Sequence, residues 1–159
     1  MTNVIFYILP ETGSNTPELS SQLIEACSIA AFYYLKNNKV FIYTDNQEDA
    51  FAVDEYLWQF DGESFVPHNL LGEGPRYGTP VEISWQTPTH SRQVLINLSA
   101  NVPDFSLKFQ QIIDFVPAQE QLKIAARTRY STYKKMGLTL STQTVTDNNA
   151  VESTNKTED

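Results

Sequence analysis

Four side chains near the end of the sequence can act together: Lys123, Arg127, Tyr130 and Lys134, at intervals of four, three and four residues. At about 100° per residue these intervals hold them within roughly a 60° stripe of one helix. Three cations with an aromatic among them suit a small acidic ligand carrying an apolar group, because arginine grips a carboxylate through two parallel hydrogen bonds. Leu122, Ala126 and Tyr133 form a neighbouring stripe fit for the core. The same pattern equally describes a solvated helix face whose cations lie towards the negative, C-terminal end of the helix dipole. Residue types alone leave both readings open.

Other groupings offer weaker chemistry. Gly72-Glu-Gly74-Pro-Arg-Tyr-Gly78 is glycine-rich, but its spacing fits neither the dinucleotide fingerprint nor a phosphate loop. It precedes a strand, so no helix N-terminus points at a phosphate, and Pro75 removes an N–H. A structural turn is expected there. His68 lies in Ser64-Phe-Val-Pro-His-Asn69 near Glu63 and Glu73, and Ser64 is not in a nucleophile elbow. A structural histidine is expected. Cys27 falls on the apolar face of a helix, where a thiol is an inert small hydrophobe. With one cysteine and two histidines, His68 and His90, no metal centre, cofactor site or catalytic residue is expected.

The elements that must position these groups follow from the apolar pattern. Val4 to Leu9 and Val40 to Tyr43 are too short for helices and read as buried strands. Thr16-Pro17-Glu18 opens a helix that runs to about Lys36 and buries Leu19, Leu23, Ala26, Cys27, Ala30 and Tyr34; Asn37-Asn38 stops it. Asp45-x-x-Glu48 reads as a capping box opening a second helix to about Trp58. Strand and helix alternating at these lengths predict a parallel sheet with helices packed on it. Further strands are expected at Ser64–Val66, Val81–Trp85, Gln93–Leu98 and Ile112–Val116, with a short helix from Pro103 carrying Phe105 and Phe109. The last helix spans 118–136, with Gly137 just past its end. Tyr56, Trp58, Phe60 and Phe65 cluster where the second helix ends, and Trp58 is either an exposed interface anchor or a cap on the core.

At 159 residues, 41% hydrophobic and 12% aromatic, the chain is one globular domain able to bury a core without disulfides. The opening MTNVIFYILP lacks a basic n-region and a cleavage site, and no stretch approaches the roughly 20 apolar residues of a membrane span. A cytoplasmic location is expected. The net charge of −8 argues against a general nucleic-acid binder. Its distribution is uneven: residues 118–140 carry a net +4, residues 1–117 a net −9 and residues 141–159 a net −3. One domain is therefore expected over 1–140, followed by an acidic, disordered tail over 141–159.

Several ordered blocks resemble one family. They are Phe6-Tyr7-x-Leu9, Val53-Asp-Glu-Tyr-Leu-Trp58, Glu63-Ser-Phe-Val-Pro-His-Asn-Leu70, Gly72-Glu-Gly-Pro75, Pro80-Val-Glu-Ile83 and Asp114-Phe-Val-Pro117. Leu122-Lys123, Ala126-Arg127, Arg129-Tyr130, Tyr133 and Gly137 continue the series. Over residues 1 to about 142 the chain resembles the chi subunit of bacterial DNA polymerase III. The resemblance implies a three-layer, Rossmann-like α/β domain with a mostly parallel sheet, helices on both faces and no nucleotide site. It implies a non-catalytic clamp-loader accessory that binds the acidic C-terminal tail of single-stranded-DNA-binding protein, and in many bacteria the small psi subunit.

By the same resemblance, Val116, Lys123, Arg127 and Tyr130 match tail-pocket positions. Arg127 and Lys123 would pair with the tail's aspartates or terminal carboxylate, and Val116 and Tyr130 would help enclose its phenylalanine. Leu138 or Leu140 would complete the apolar wall. Trp58 and Phe65 match the face associated with psi and other partners. The residue after the helix tyrosine is often basic in the family and is Ser131 here, with Lys134 and Lys135 as nearby cations. The rival readings are a nucleotide-binding or hydrolytic enzyme on a Rossmann-like sheet, and direct single-stranded-DNA binding by the basic helix.

Overall fold

The computed structural model describes residues 2–10, 18–59, 66–73, 79–89 and 91–145. The short apolar runs are strands: β1 (Asn3–Ile8), β2 (Val40–Tyr43), β3 (His68–Leu70), β4 (Val81–Ser84), β5 (Val94–Asn97) and β6 (Gln111–Val116). A further strand, β7 (Thr139–Thr144), follows the last helix. Among the described residues these pair in one sheet of order β3-β4-β2-β5-β6-β1-β7, and every pairing is parallel. Helices α1 (Glu18–Leu35) and α2 (Gln47–Gln59) cover one face. Helix α3 (Glu120–Lys135) and a 3₁₀ turn at Ser106–Lys108 cover the other.

Because helices lie on both faces, the central strands are apolar throughout rather than alternating. Tyr7, Ile42, Ile83, Ile96 and Phe115 meet α1 and α2 through Ala26, Ile29, Ala30, Val53 and Leu57. On the other face Val4, Phe6, Phe41, Leu95 and Ile112 meet Phe105, Phe109, Ala126 and Tyr133. Cys27 is fully buried in the first of these layers, and burial pushes its thiol pKa up to about 12, which leaves no thiolate near neutrality. Asn37, at φ +65°, takes the left-handed position after α1, and Gly137, at φ +84°, takes it after α3. Among the described residues no helix is long and apolar enough to cross a membrane.

Four local expectations change. Of the strand expected at Ser64–Val66 only Val66 is described, and it is not in a strand; β3 starts at His68, after Pro67, whose carbonyl accepts from the Val81 N–H at 3.3 Å. Ser64 and Phe65 lie outside the described residues, as do Thr16, Pro17, Phe60, His90 and 74–78 of the glycine-rich loop. Asn46 caps α2, its Oδ1 accepting from the Asp49 N–H at 2.8 Å, because the Asp45 carboxylate is engaged by the Ala100 N–H at 3.0 Å. The helix expected from Pro103 is a single 3₁₀ turn, flanked by the buried Phe105 and Phe109. Finally, residues 141–144 belong to β7 and not to a tail: with β1 already bonded to β6 on one side, its other edge pairs Asn3–Ile8 with Thr139–Thr144. Residues 146–159 lie outside the described residues.

Candidate functional site

Helix α3 carries two kinds of cation. Arg129 projects inward, 7% exposed, onto Asp114, which is 0% exposed in β6. Its Nε donates to Asp114 Oδ1 and Oδ2 at 3.0 and 3.1 Å. Nη2 lies 2.9 Å from Oδ1 and donates to the Phe115 carbonyl at 3.1 Å, while Nη1 donates to the Ala100 carbonyl at 3.1 Å. The Tyr133 hydroxyl and the Phe115 N–H complete the carboxylate's shell at 2.8 and 2.7 Å, and Asn97 Nδ2 adds a bond at 3.3 Å. Burial first, then the Asp114 charge, raises the Tyr133 phenol well above its usual range, so it stays a donor.

This network fixes α3 to the carboxyl ends of β5 and β6. That is where ligands bind in open α/β sheets, in the crevice beyond the strand ends. In this chain that end of β5 and β6 carries the buried Arg129–Asp114 pair. The net +4 of residues 118–140 therefore includes one cation, Arg129, that is neutralised inside the fold. The signal was available: Arg129 shares the stripe of Ala126 and Tyr133, and Asp114 interrupts the apolar run Ile112-Ile113-Asp114-Phe115.

The outward stripe is different. Among the described residues no carboxylate lies within salt-bridge distance of Lys123, Arg127 or Lys134. Lys123 stands in the first turns of α3 and lines a depression of about 270 Å³ with Ile8, Leu9, Val116, Pro117 and Ala118. Sequence reasoning missed Ile8, taken there as part of a wholly buried strand; at the end of β1 it is 36% exposed. Tyr130 lies further along, its ring 5.4 Å from that of Phe6 and its outer side in solvent. Arg127 is exposed between Lys123 and Tyr130. Lys134 sits in the last turn, about 16 Å along the axis from Lys123 at 1.5 Å per residue.

The sheet edge supplies a floor. Register puts Val4, Phe6 and Ile8 of β1 level with Leu140, Thr142 and Thr144 of β7, and paired residues share a face. Leu138, Leu140 and Val116 pack against the apolar cluster under α3, while Thr142 and Thr144 remain exposed beside it. The result is an apolar strip bounded by a helix that presents Lys123, Arg127 and Lys134.

A second feature lies on the opposite face. Trp58, in the last turn of α2, is 61% exposed, and one side of its ring rests 4.8 Å from the His68 ring. Asp54, one turn earlier on α2, lies 3.3 Å from His68 Nε2, and His68 Nδ1 donates to the Val66 carbonyl at 2.7 Å. The buried His68 side chain thus packs β3 against α2, its Nδ1 bonded within its own strand's approach and its Nε2 facing Asp54 without a hydrogen bond. Phe65, expected beside Trp58, is outside the described residues.

Comparisons with known proteins identify the family. A family model for the DNA polymerase III chi subunit, HolC, matches residues 1–141. DNA polymerase III subunit chi of Haemophilus influenzae is 45% identical over 142 residues, covering 88% of this chain and 95% of that protein. The Escherichia coli protein of the same name is 41% identical over 146 residues, covering 91% and 99%. The crystal structure of T4 UvsW aligns with a TM-score of 0.57 at 11% identity over 91% of this chain and 41% of that one, a likeness of fold alone. On the family match and these identities, the chain belongs to the chi subunit family of DNA polymerase III.

Proposed function

We propose that the chain is a non-catalytic replication adaptor working in the cytoplasm. It binds the acidic C-terminal tail of single-stranded-DNA-binding protein along α3 and β7, and reaches the clamp loader through psi at the Trp58 face, with Phe65 as a second contact. The observation that carries this reading is the pairing of Lys123 and Arg127, which have no carboxylate within salt-bridge distance among the described residues, with the apolar depression beside Val116. A peptide of aspartates ending in a phenylalanine meets both requirements at once. Tyr130 and Leu140 extend the apolar wall, and Lys134 offers a further cation to residues upstream in the peptide.

The net charge of −8 sharpens selectivity. The acidic body repels DNA while the cationic strip of α3 attracts a mobile acidic peptide, so wrong partners are rejected by repulsion as well as by lack of fit. A short peptide held this way binds on the order of micromolar, about −8 kcal/mol, and weakens with salt. Several tails on one oligomeric partner raise avidity without new contacts.

The test is fluorescence anisotropy of a labelled peptide ending Asp-Asp-Ile-Pro-Phe against one lacking the phenylalanine. The reading expects micromolar binding by the first and none by the second. Absence of binding at low salt overturns it. The rival enzyme reading requires saturable thermal stabilisation by a nucleotide.

A further inference from the structure

We propose that residues 146–159 are a built-in competitor for the cationic stripe of α3, held against it until an acidic peptide displaces them; the competition rests on the adaptor reading above. The first support is position. Strand β7 runs parallel to β1 and ends beside the depression, where the Val145 N–H donates to the Ile8 carbonyl at 3.0 Å. Ile8 is itself a wall of the depression that Lys123 lines. The residues after Val145 therefore start at the mouth of the site.

The second support is charge. Asp147, Glu152, Glu158 and Asp159 against Lys156 give this segment a net −3, opposite the stripe of Lys123, Arg127 and Lys134. The third is reach. Fourteen residues extend at most roughly 3.3–3.6 Å each, so the segment can span the about 16 Å from Lys123 to Lys134 several times over. Val151, next to Glu152, brings an apolar group smaller than phenylalanine, which makes a contact that a better-fitting peptide can replace. Exposed ion pairs are individually weak, but a tether supplies them at millimolar effective concentration. The segment lies beyond the family match at residues 1–141.

The experiment compares three full-length proteins by anisotropy with the Asp-Asp-Ile-Pro-Phe peptide. One is native. One carries Asp147→Asn, Glu152→Gln, Glu158→Gln and Asp159→Asn together. The third neutralises four exposed acids elsewhere, Glu48→Gln, Glu55→Gln, Glu73→Gln and Asp104→Asn. The tail variant should bind about three- to tenfold tighter at low salt and converge with the native protein near about 0.5 M salt. The matched variant should stay within about twofold of native. Equal or weaker binding by the tail variant, or equal tightening in the matched variant, overturns the proposal. A peptide-free comparison of amide NMR shifts gives an independent reading: Lys123, Arg127 and Lys134 should shift when the tail is neutralised, and their constancy overturns it. If the peptide binds none of the three proteins, the adaptor reading falls, and the NMR comparison still decides the tail contact.

Discussion

Arg127 and Arg129 stand two residues apart on one helix and do opposite work. Arg129 is spent inside the molecule: its guanidinium meets Asp114, the Ala100 carbonyl and the Phe115 carbonyl, tying α3 to the strand ends. Arg127 is exposed and has no carboxylate within salt-bridge distance among the described residues. Two residues advance about 200° around a helix, enough to turn a charge from the core to the surface. The difference teaches that a count of cations on a helix says little until each is assigned a side. An inward charge reports how the fold is held, and an outward one stays available to solvent and partners.

The sharpest way to break this contrast is at Arg129. Arg129→Ala leaves the Asp114 carboxylate buried without its cation, which should cost about 3–5 kcal/mol in urea denaturation. Arg129→Lys should not rescue it, since an ammonium cannot bridge a carboxylate and two carbonyls in separate directions. A loss below about 1 kcal/mol would mean that water or a rotated Tyr133 neutralises Asp114 instead.

Arg127→Ala should do the reverse. Stability should hold within about 0.5 kcal/mol, while affinity for the acidic peptide should fall at least about tenfold, the loss of a charged hydrogen bond worth about 1.5–3 kcal/mol. Unchanged affinity would remove Arg127 from the site.

Tyr133→Phe tests the inward network more gently, at about 1.5 kcal/mol near neutral pH. Its pH dependence has a definite sign. The folded protein keeps the Tyr133 proton above the phenol's ordinary 10.0, whereas the unfolded chain releases it. The contribution is therefore complete below pH 10.0 and lost as pH rises beyond it, so the variant should show a shallower alkaline loss of stability. Tyr7, also buried and raised, keeps part of the slope in both proteins.

The smallest effect on stability is expected at Trp58, where substitution by Ala should cost about 0.5 kcal/mol or less. The same change should weaken capture of psi while leaving peptide binding intact, which separates the two faces. Loss of both together would merge them into one surface.

Much of the layout was readable because strands such as Val40–Tyr43 are four apolar residues between helical stretches, a length at which only a buried strand fits. Strand β7 was not, because Thr-Leu-Ser-Thr-Gln-Thr offers one large apolar residue, Leu140, and no alternation. Its conformation is imposed by the open edge of β1. The cationic stripe was legible from spacing alone, but Ile8 as a wall of the depression was not, since exposure at a strand end depends on which elements stop short of it. Asp114 and Arg129 were each visible, and only their pairing needed three dimensions.

The place of β1 in the sheet has a consequence for biosynthesis. Its neighbours are β6 and β7, and Asn3 meets Gln111 across 108 residues of chain. The ribosome therefore releases β1 first and supplies its partners last. Throughout translation the apolar run from Val4 to Leu9 waits with both hydrogen-bonding edges open, a form prone to aggregation. Four of the seven described strands can assemble early, since β3, β4, β2 and β5 pair among themselves. The half that carries β1 closes only when β7 arrives, so a chain cut short before that one strand would leave the edge of β1 unpaired beside α3.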